Sequence, residues 1–129
     1  MVQYELAKRM TAKMGSKDYG ILSVLLEYFG NTKLAFKVSR NVFYPKPNVD
    51  SAVVHIFFNE KRENFEFNSI FKLIVKSSFG NRRKTLKNSL SNGIFAEVNF
   101  SESGIDLSLR AEQLKVDDFI KLAEFTSTK

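Results

Sequence analysis

Ten consecutive residues, Asn41-Val42-Phe43-Tyr44-Pro45-Lys46-Pro47-Asn48-Val49-Asp50, contain both prolines of a 129-residue chain. Each proline fixes its own φ and drives the residue before it towards extended backbone, so Tyr44 and Lys46 are held stiff. A connection this rigid suits a site that must present one side chain in one place; a plain structural connector accounts for it as well. A second concentration lies downstream. From Phe67 to Ala96 there are six basic residues, Lys72, Lys76, Arg82, Arg83, Lys84 and Lys87, and no acidic one. Lysines and arginines that neutralise phosphates release condensed counterions, so a one-sided basic run inside a folded domain points to a polyanion partner. On charge alone, a solvated helix face competes with that reading.

Other chemistries have little to build on. The lone histidine, His55, sits between apolar residues of a strand-like run, with no second metal ligand or catalytic partner near it in sequence, and reads as structural. Ser23, Ser51 and the scattered carboxylates form no nucleophile or acid-base pair. There is no cysteine, which excludes disulfides and thiolate metal sites and leans towards a reducing compartment such as the cytoplasm. No apolar run approaches the roughly 20 residues that span a bilayer, and the opening Met1-Val2-Gln3-Tyr4-Glu5 lacks the pattern of a secretory signal. Thirteen phenylalanines and no tryptophan make aromatic packing the main source of cohesion.

These residues need a frame. Leu6, Ala7 and Met10 predict a short helix over Glu5 to Ala12, broken at Gly15-Ser16. Tyr19 to Phe29, apolar nearly all round, predicts a buried helix with Asp18 as its cap and Gly30 beyond its end. Alternation of Leu34, Phe36 and Val38 with Lys33, Ala35, Lys37 and Ser39 predicts a strand over Lys33 to Arg40, and Ser51 to Phe58 predicts another. Glu60 to Glu66 reads as a linker. Beyond it, Phe67, Ile70, Phe71, Ile74, Val75 and Phe79 follow helical spacing; a second helix is expected over Arg82 to Leu90, ended by Asn92-Gly93, and a third from about Val116 to Phe125, with Asp117 and Asp118 in its first turn.

Read in order, several segments resemble one family. Gln3-Tyr4-Glu5-Leu6-Ala7-Lys8-Arg9-Met10 with Asp18-Tyr19-Gly20-Ile21-Leu22-Ser23-Val24 looks like the stretch after the catalytic motif of KsgA-type ribosomal RNA adenine dimethyltransferases. Phe43 to Ser51 resembles that family's Phe-x-Pro-x-Pro-x-Val-x-Ser signature, the most specific of the matches. Phe79-Gly80-Asn81-Arg82-Arg83-Lys84-Thr85-Leu86 resembles its Arg-Arg-Lys-Thr-Leu element, and Arg110 to Leu114 with Phe119 its closing segment. Erythromycin-resistance methyltransferases share the proline signature more loosely. One departure is Lys115, where the family usually offers a serine as helix cap.

The resemblance implies an α/β plus all-α fold: the C-terminal edge of a Rossmann-like methyltransferase sheet over residues 1–59, a linker at 60–66, and a helical RNA-binding domain over 67–129. It implies methyl transfer from S-adenosylmethionine to N6 of two adjacent adenines near the 3′ end of small-subunit ribosomal RNA, with the pre-ribosomal small subunit as partner. The target base must leave its stack for that chemistry, and on the family pattern Phe43 stacks it. Arg82, Arg83, Lys84 and Lys87 would meet RNA phosphates, and Arg40 and Lys46 would anchor backbone beside the target. None of the six glycines forms a Gly-x-Gly turn, and no Asn-Leu-Pro-Tyr occurs. The expectation is therefore a chain without cofactor or metal sites of its own, inactive alone, that exposes a sheet edge through which copies self-associate. A non-enzymatic nucleic-acid-binding or ribosome-assembly factor of the same ancestry, and a plain protein-interaction helical module, are the alternatives.

Overall fold

The computed structural model describes residues 1–58, 64–80, 83–91 and 93–127. A three-stranded antiparallel sheet carries the proline loop. Strand β1 (Val2–Gln3) and strand β2 (Gly30–Val38) flank strand β3 (Ser51–Phe58), in the order β1-β3-β2. Helices α1 (Tyr4–Met10) and α2 (Ile21–Phe29) intervene between β1 and β2, and α1 packs on both long strands. Then come helices α3 (Phe65–Ser78), α4 (Leu86–Ser91) and α5 (Val116–Ser127).

Strand β3 has the bounds its β-branched and aromatic residues predict. Strand β2 begins three residues early, at Gly30, because the chain turns directly out of α2 into pairing with Phe58. The register shifts between Leu34 and Phe36, so Ala35 is an extra residue and the two flanking side chains fall on opposite faces. The simple alternation expected for Leu34, Phe36 and Val38 is therefore interrupted. Phe36, opposite Val53, and Phe57, opposite Asn31, lie on one face and are more than half exposed. Strand β1 pairs with β3 only at Ser51 and Ala52; among the described residues, Val53 to Phe58 have no partner along that edge.

Helix α2 starts at Ile21, not Tyr19, with Gly20 rather than Asp18 at the N-cap position. Tyr19 belongs to the core instead: it is 1% exposed and its hydroxyl donates to the Leu114 carbonyl at 2.8 Å. Burial is the main reason its phenol pKa is raised, with the negative charges of Glu27 and Asp118 adding to it. The Gly20 N–H finds the Ser23 hydroxyl, one half of a capping box. Helix α3 takes in Phe65 and Glu66, expected to belong to the linker, because the Asn64 side chain accepts from the Phe67 N–H at 3.0 Å and caps it; residues 60–63 of that linker lie outside the described residues. At α5 the missing serine cap is offset by Asp118, whose carboxylate accepts from the Lys115 N–H at 3.2 Å.

One apolar core joins α2 to the helices that follow the sheet. Tyr28 stacks on Phe71 with ring centroids 3.9 Å apart, and its hydroxyl donates to the buried Asn68 side chain at 2.6 Å. Phe79 lies edge-on to Tyr19 and stacks on Phe119. Leu86, Leu90, Phe95, Phe100, Ala111, Leu114, Leu122 and Ala123 complete the cluster. Short 3-10 turns at Phe100–Glu102 and Ala111–Gln113, which no periodicity announces, seat Phe100 and Ala111.

Gly30 is packed tightly against the neighbouring strand. A Cβ there would stand 2.0 Å from the Phe57 carbonyl oxygen, whereas one at Gly93 would meet nothing within 4 Å. Gly30→Ala is expected to destabilise the chain by about 1–3 kcal/mol, read as a lowered urea midpoint, with Gly93→Ala as the near-neutral control.

Candidate nucleic-acid interface

The loop between β2 and β3 is organised from its base. After Val38 the Ser39 hydroxyl accepts from the Asn41 N–H at 3.2 Å, capping a 3-10 turn over Arg40–Val42. The Tyr44–Pro45 peptide is cis. Asp50, the last residue before β3, ties four segments together. One carboxylate oxygen accepts from the Arg40 backbone N–H at 2.9 Å and from its Nε at 3.3 Å; the other lies 3.5 Å from Lys37 Nζ. The Asp50 carbonyl accepts from the Tyr4 N–H at 2.9 Å, where α1 begins. Arg40 Nη1 reaches further, donating to the Asn48 carbonyl at 2.8 Å. Lys37 Nζ also stands 4.5 Å from the centre of the Tyr4 ring, a cation-π contact. The Arg40 backbone N–H, with the charges of Arg40 and Lys37, holds the Asp50 carboxyl below its ordinary value.

This frame sets what the loop shows to solvent. Phe43 is extended and half-buried. Tyr44 beside it is fully exposed and Val42 largely so, while Lys46 is exposed at the loop tip. Sequence reasoning gave the ring role to Phe43 and to Tyr44, held stiff before Pro45, no role of its own. Arg40, expected as an RNA anchor, has its Nε and one Nη committed to the loop itself, though its side chain is 44% exposed.

The basic run lies in a different part of the fold: Lys72 and Lys76 are on α3, Arg83 and Lys84 in the corner that follows it, and Lys87 in the first turn of α4. Arg82 lies outside the described residues. Arg83, Lys84 and Lys87 are exposed. Helix α4 starts at Leu86 rather than Arg82 because the N–H groups of Leu86 and Lys87 donate to the carbonyls of Leu109 and Leu107, at 2.8 and 3.1 Å, instead of continuing a helical ladder upstream. Arg83 and Lys84 consequently stand in a turn, with buried Leu86 and Leu90 anchoring the segment behind them.

His55 is exposed in mid-strand, edge-on to Phe57 at 6.1 Å. Among the described residues no group of three or more histidines, cysteines or carboxylates could hold a metal ion, and no helix is long and apolar enough to cross a membrane. Among the described glycines, those with positive φ are Gly15 and Gly104; both lie in turns that follow helical segments rather than strands, so neither builds the strand-turn-helix cradle of a nucleotide cofactor.

Comparison with known proteins places this arrangement. A family model described as "Ribosomal RNA adenine dimethylase" matches residues 1–128. Proteins called "Ribosomal RNA small subunit methyltransferase A" from Clostridioides difficile (strain 630) and Chlorobium phaeobacteroides (strain BS1) are 42% and 46% identical over 100% and 95% of the chain. The chain spans about half of those relatives, 47% and 45% of their lengths. The crystal structure of a dimethyladenosine transferase from Plasmodium falciparum superposes with a TM-score of 0.78 at 24% identity, covering 97% of this chain and 55% of that one. That of the 23S rRNA methyltransferase ErmE gives 0.63 at 19%, over 97% and 52%. At these identities the two structures establish the fold, a partial methyltransferase fold with its helical extension.

The Asp50 frame carries a pH signature. A carboxyl whose pKa is lower folded than unfolded contributes stability that is present above its unfolded value and lost as pH falls through its folded one. The Arg40 and Tyr4 amide resonances are expected to move together in an acid titration, with a midpoint below the ordinary aspartate value of 3.8; Asp50→Asn should abolish that transition.

Proposed function

The chain belongs to the ribosomal RNA adenine dimethylase family, and from that premise we propose that it forms the base-presenting and RNA-gripping part of an S-adenosylmethionine-dependent enzyme. That enzyme dimethylates N6 of two adjacent adenines near the 3′ end of small-subunit ribosomal RNA. The observation that carries the reading is the loop from Phe43 to Asp50, pinned at its base by Asp50, Arg40 and Asn48 and edged by cations. A methyl acceptor inside a duplex cannot meet the donor in line, so the base must swing out and be held. Phe43 supplies the ring face, and the pinned loop fixes where that face stands. Lys46 and the uncommitted N–H groups of Arg40 contact phosphates beside the target, and Arg82, Arg83, Lys84 and Lys87 grip the RNA at the other part of the fold.

The cofactor is S-adenosylmethionine, which supplies the methyl group. Among the described residues no positive-φ glycine turn follows a strand, so this chain's residues do not fit it, and the remaining length seen in the relatives provides that site and the sheet strands around it. Residues 1–59 then complete the catalytic domain and 67–129 form the RNA-binding domain. The chain alone binds RNA in the cytoplasm's pre-ribosomal particles without methylating it. Val53 to Phe58, unpaired along one edge, and the face bearing Phe36 and Phe57 drive copies of the isolated chain to associate.

Two measurements test this. A hairpin oligoribonucleotide carrying 2-aminopurine at either target adenine should lose fluorescence on binding as the base stacks. Phe43→Ala should restore the fluorescence and weaken binding by about 5- to 150-fold, the worth of roughly 1–3 kcal/mol of stacking. An unchanged signal in Phe43→Ala, or its loss in Tyr44→Ala alone, removes Phe43 from the role. Changing Arg82, Arg83 and Lys87 to Gln should flatten the plot of log affinity against log salt by about 0.7–0.9 for each phosphate no longer neutralised. An unaltered slope makes the run a solvated face.

A further inference from the structure

Of the four tyrosines in the chain, three are engaged with the rest of the fold. Tyr19 and Tyr28 are buried and donate their hydroxyls to Leu114 and Asn68. Tyr4 is partly buried, with the ammonium groups of Lys8 and Lys37 at 5.4 and 4.5 Å from its ring centre. Tyr44 differs from them: its side chain is fully exposed, and among the described residues it has no hydrogen bond, ring contact or ion pair. Its setting is nevertheless fixed. Phe43 before it is extended, at φ −104° and ψ 149°, and Pro45 after it drives Tyr44 towards extended backbone as well. In such backbone successive side chains leave on opposite sides, so the Phe43 ring turns in towards the fold, half-buried, and the Tyr44 ring turns out into solvent. Lys46 stands exposed two residues on, with no ion-pair partner among the described residues. A single exposed apolar residue is ordinary on a protein surface; the stiff backbone, the cation and the neighbouring ring make Tyr44 a different case.

We propose that Tyr44 is a second stacking platform, one that covers the base next to the adenine held on Phe43. The proposal rests on the reading of Phe43 as the ring that receives the extruded base. When that base swings out, the nucleotide beside it loses a stacking partner and turns a π face to water, which is part of the cost of extrusion. A flat ring restores that contact whatever the base is, and Tyr44 offers one on the other side of the same extended backbone. The Cα atoms of Phe43 and Tyr44 are about 3.8 Å apart, with their rings facing away from each other, so the two platforms receive adjacent nucleotides only when the strand is splayed between them, as extrusion leaves it. Lys46 supplies a positive charge for the phosphate of the neighbouring nucleotide. An apolar protein surface would cover the Tyr44 ring but leave Lys46 without an anion; a nucleotide satisfies both.

The test follows the ring resonances of the 129-residue chain, ¹³C-labelled at phenylalanine and tyrosine, as a single-stranded hexaribonucleotide with two central adenines between uridines is added. Stacking under a base should move the Tyr44 and Phe43 ring protons upfield together. Tyr44→Ala should weaken binding by at least about fivefold, the equivalent of one weak stacking contact. Tyr44→Trp should bind as tightly as the parent chain, and Tyr44→Leu no better than the alanine variant. A still Tyr44 ring beside a moving Phe43 ring overturns the proposal and leaves the Phe43 reading standing. Binding by Tyr44→Leu as tight as the parent's also overturns it, since the side chain then serves only as apolar surface. Movement of Tyr44 with Phe43 still upholds the second platform while removing Phe43 from its role, and silence of both rings removes both.

Discussion

Much of this fold's functional geometry depends on one carboxylate. Asp50 stands where β3 begins, and through it the end of β2, the 3-10 turn, the first residue of α1 and the start of β3 are fixed to one another by three hydrogen bonds and an ion pair. A twelve-residue connection between antiparallel strands would ordinarily be mobile. Here the two prolines restrict the backbone from within while Asp50 and Arg40 close it from below, so Phe43 and Lys46 stand on a backbone with little conformational freedom left to lose.

The sheet end and the helical end are linked by α2. Its residues Val24 and Tyr28 are buried with Phe71 and Phe119, so the helix that leads into β2 is also a wall of the core that supports the basic corner. The proposed division into a catalytic edge and an RNA-binding domain is thus a division of labour laid over one continuous apolar cluster. Movement of the α3–α4 corner relative to the β2–β3 loop has to work against aromatic contacts such as Tyr28 on Phe71, each worth about 0.5–1.5 kcal/mol beyond its buried area.

What could be read from the sequence follows the range of the interaction concerned. Strand β3, the amphipathic faces of α3 and α5 and the proline signature are local patterns, and each stands close to where periodicity or motif puts it. The start of α3 is misplaced for a local reason, the Asn64 cap, but the other misplaced boundaries have non-local causes. Ala35 is extra only relative to β3, and α4 is shortened by the carbonyls of Leu107 and Leu109, which lie well downstream in the chain. Tyr19 leaves its helix for a carbonyl at Leu114. The site divides in the same way: Phe43, Lys46 and the basic run are visible as residue types, but Asp50 looks like an ordinary turn residue until its partners at Lys37 and Arg40 are in place. Arg40 likewise reads as a free cation in sequence and serves in the structure as a loop clamp.

Amide order in Asp50→Ala probes this arrangement most directly. Heteronuclear relaxation and hydrogen exchange, followed at Arg40, Phe43, Tyr44 and Asn48, should report a loop that becomes mobile on the nanosecond scale while Phe71, Ile74 and Leu122 in the core keep their protection. If Phe43 stays as ordered in that variant as in the parent chain, the prolines alone hold the ring, and the carboxylate has no part in presenting it.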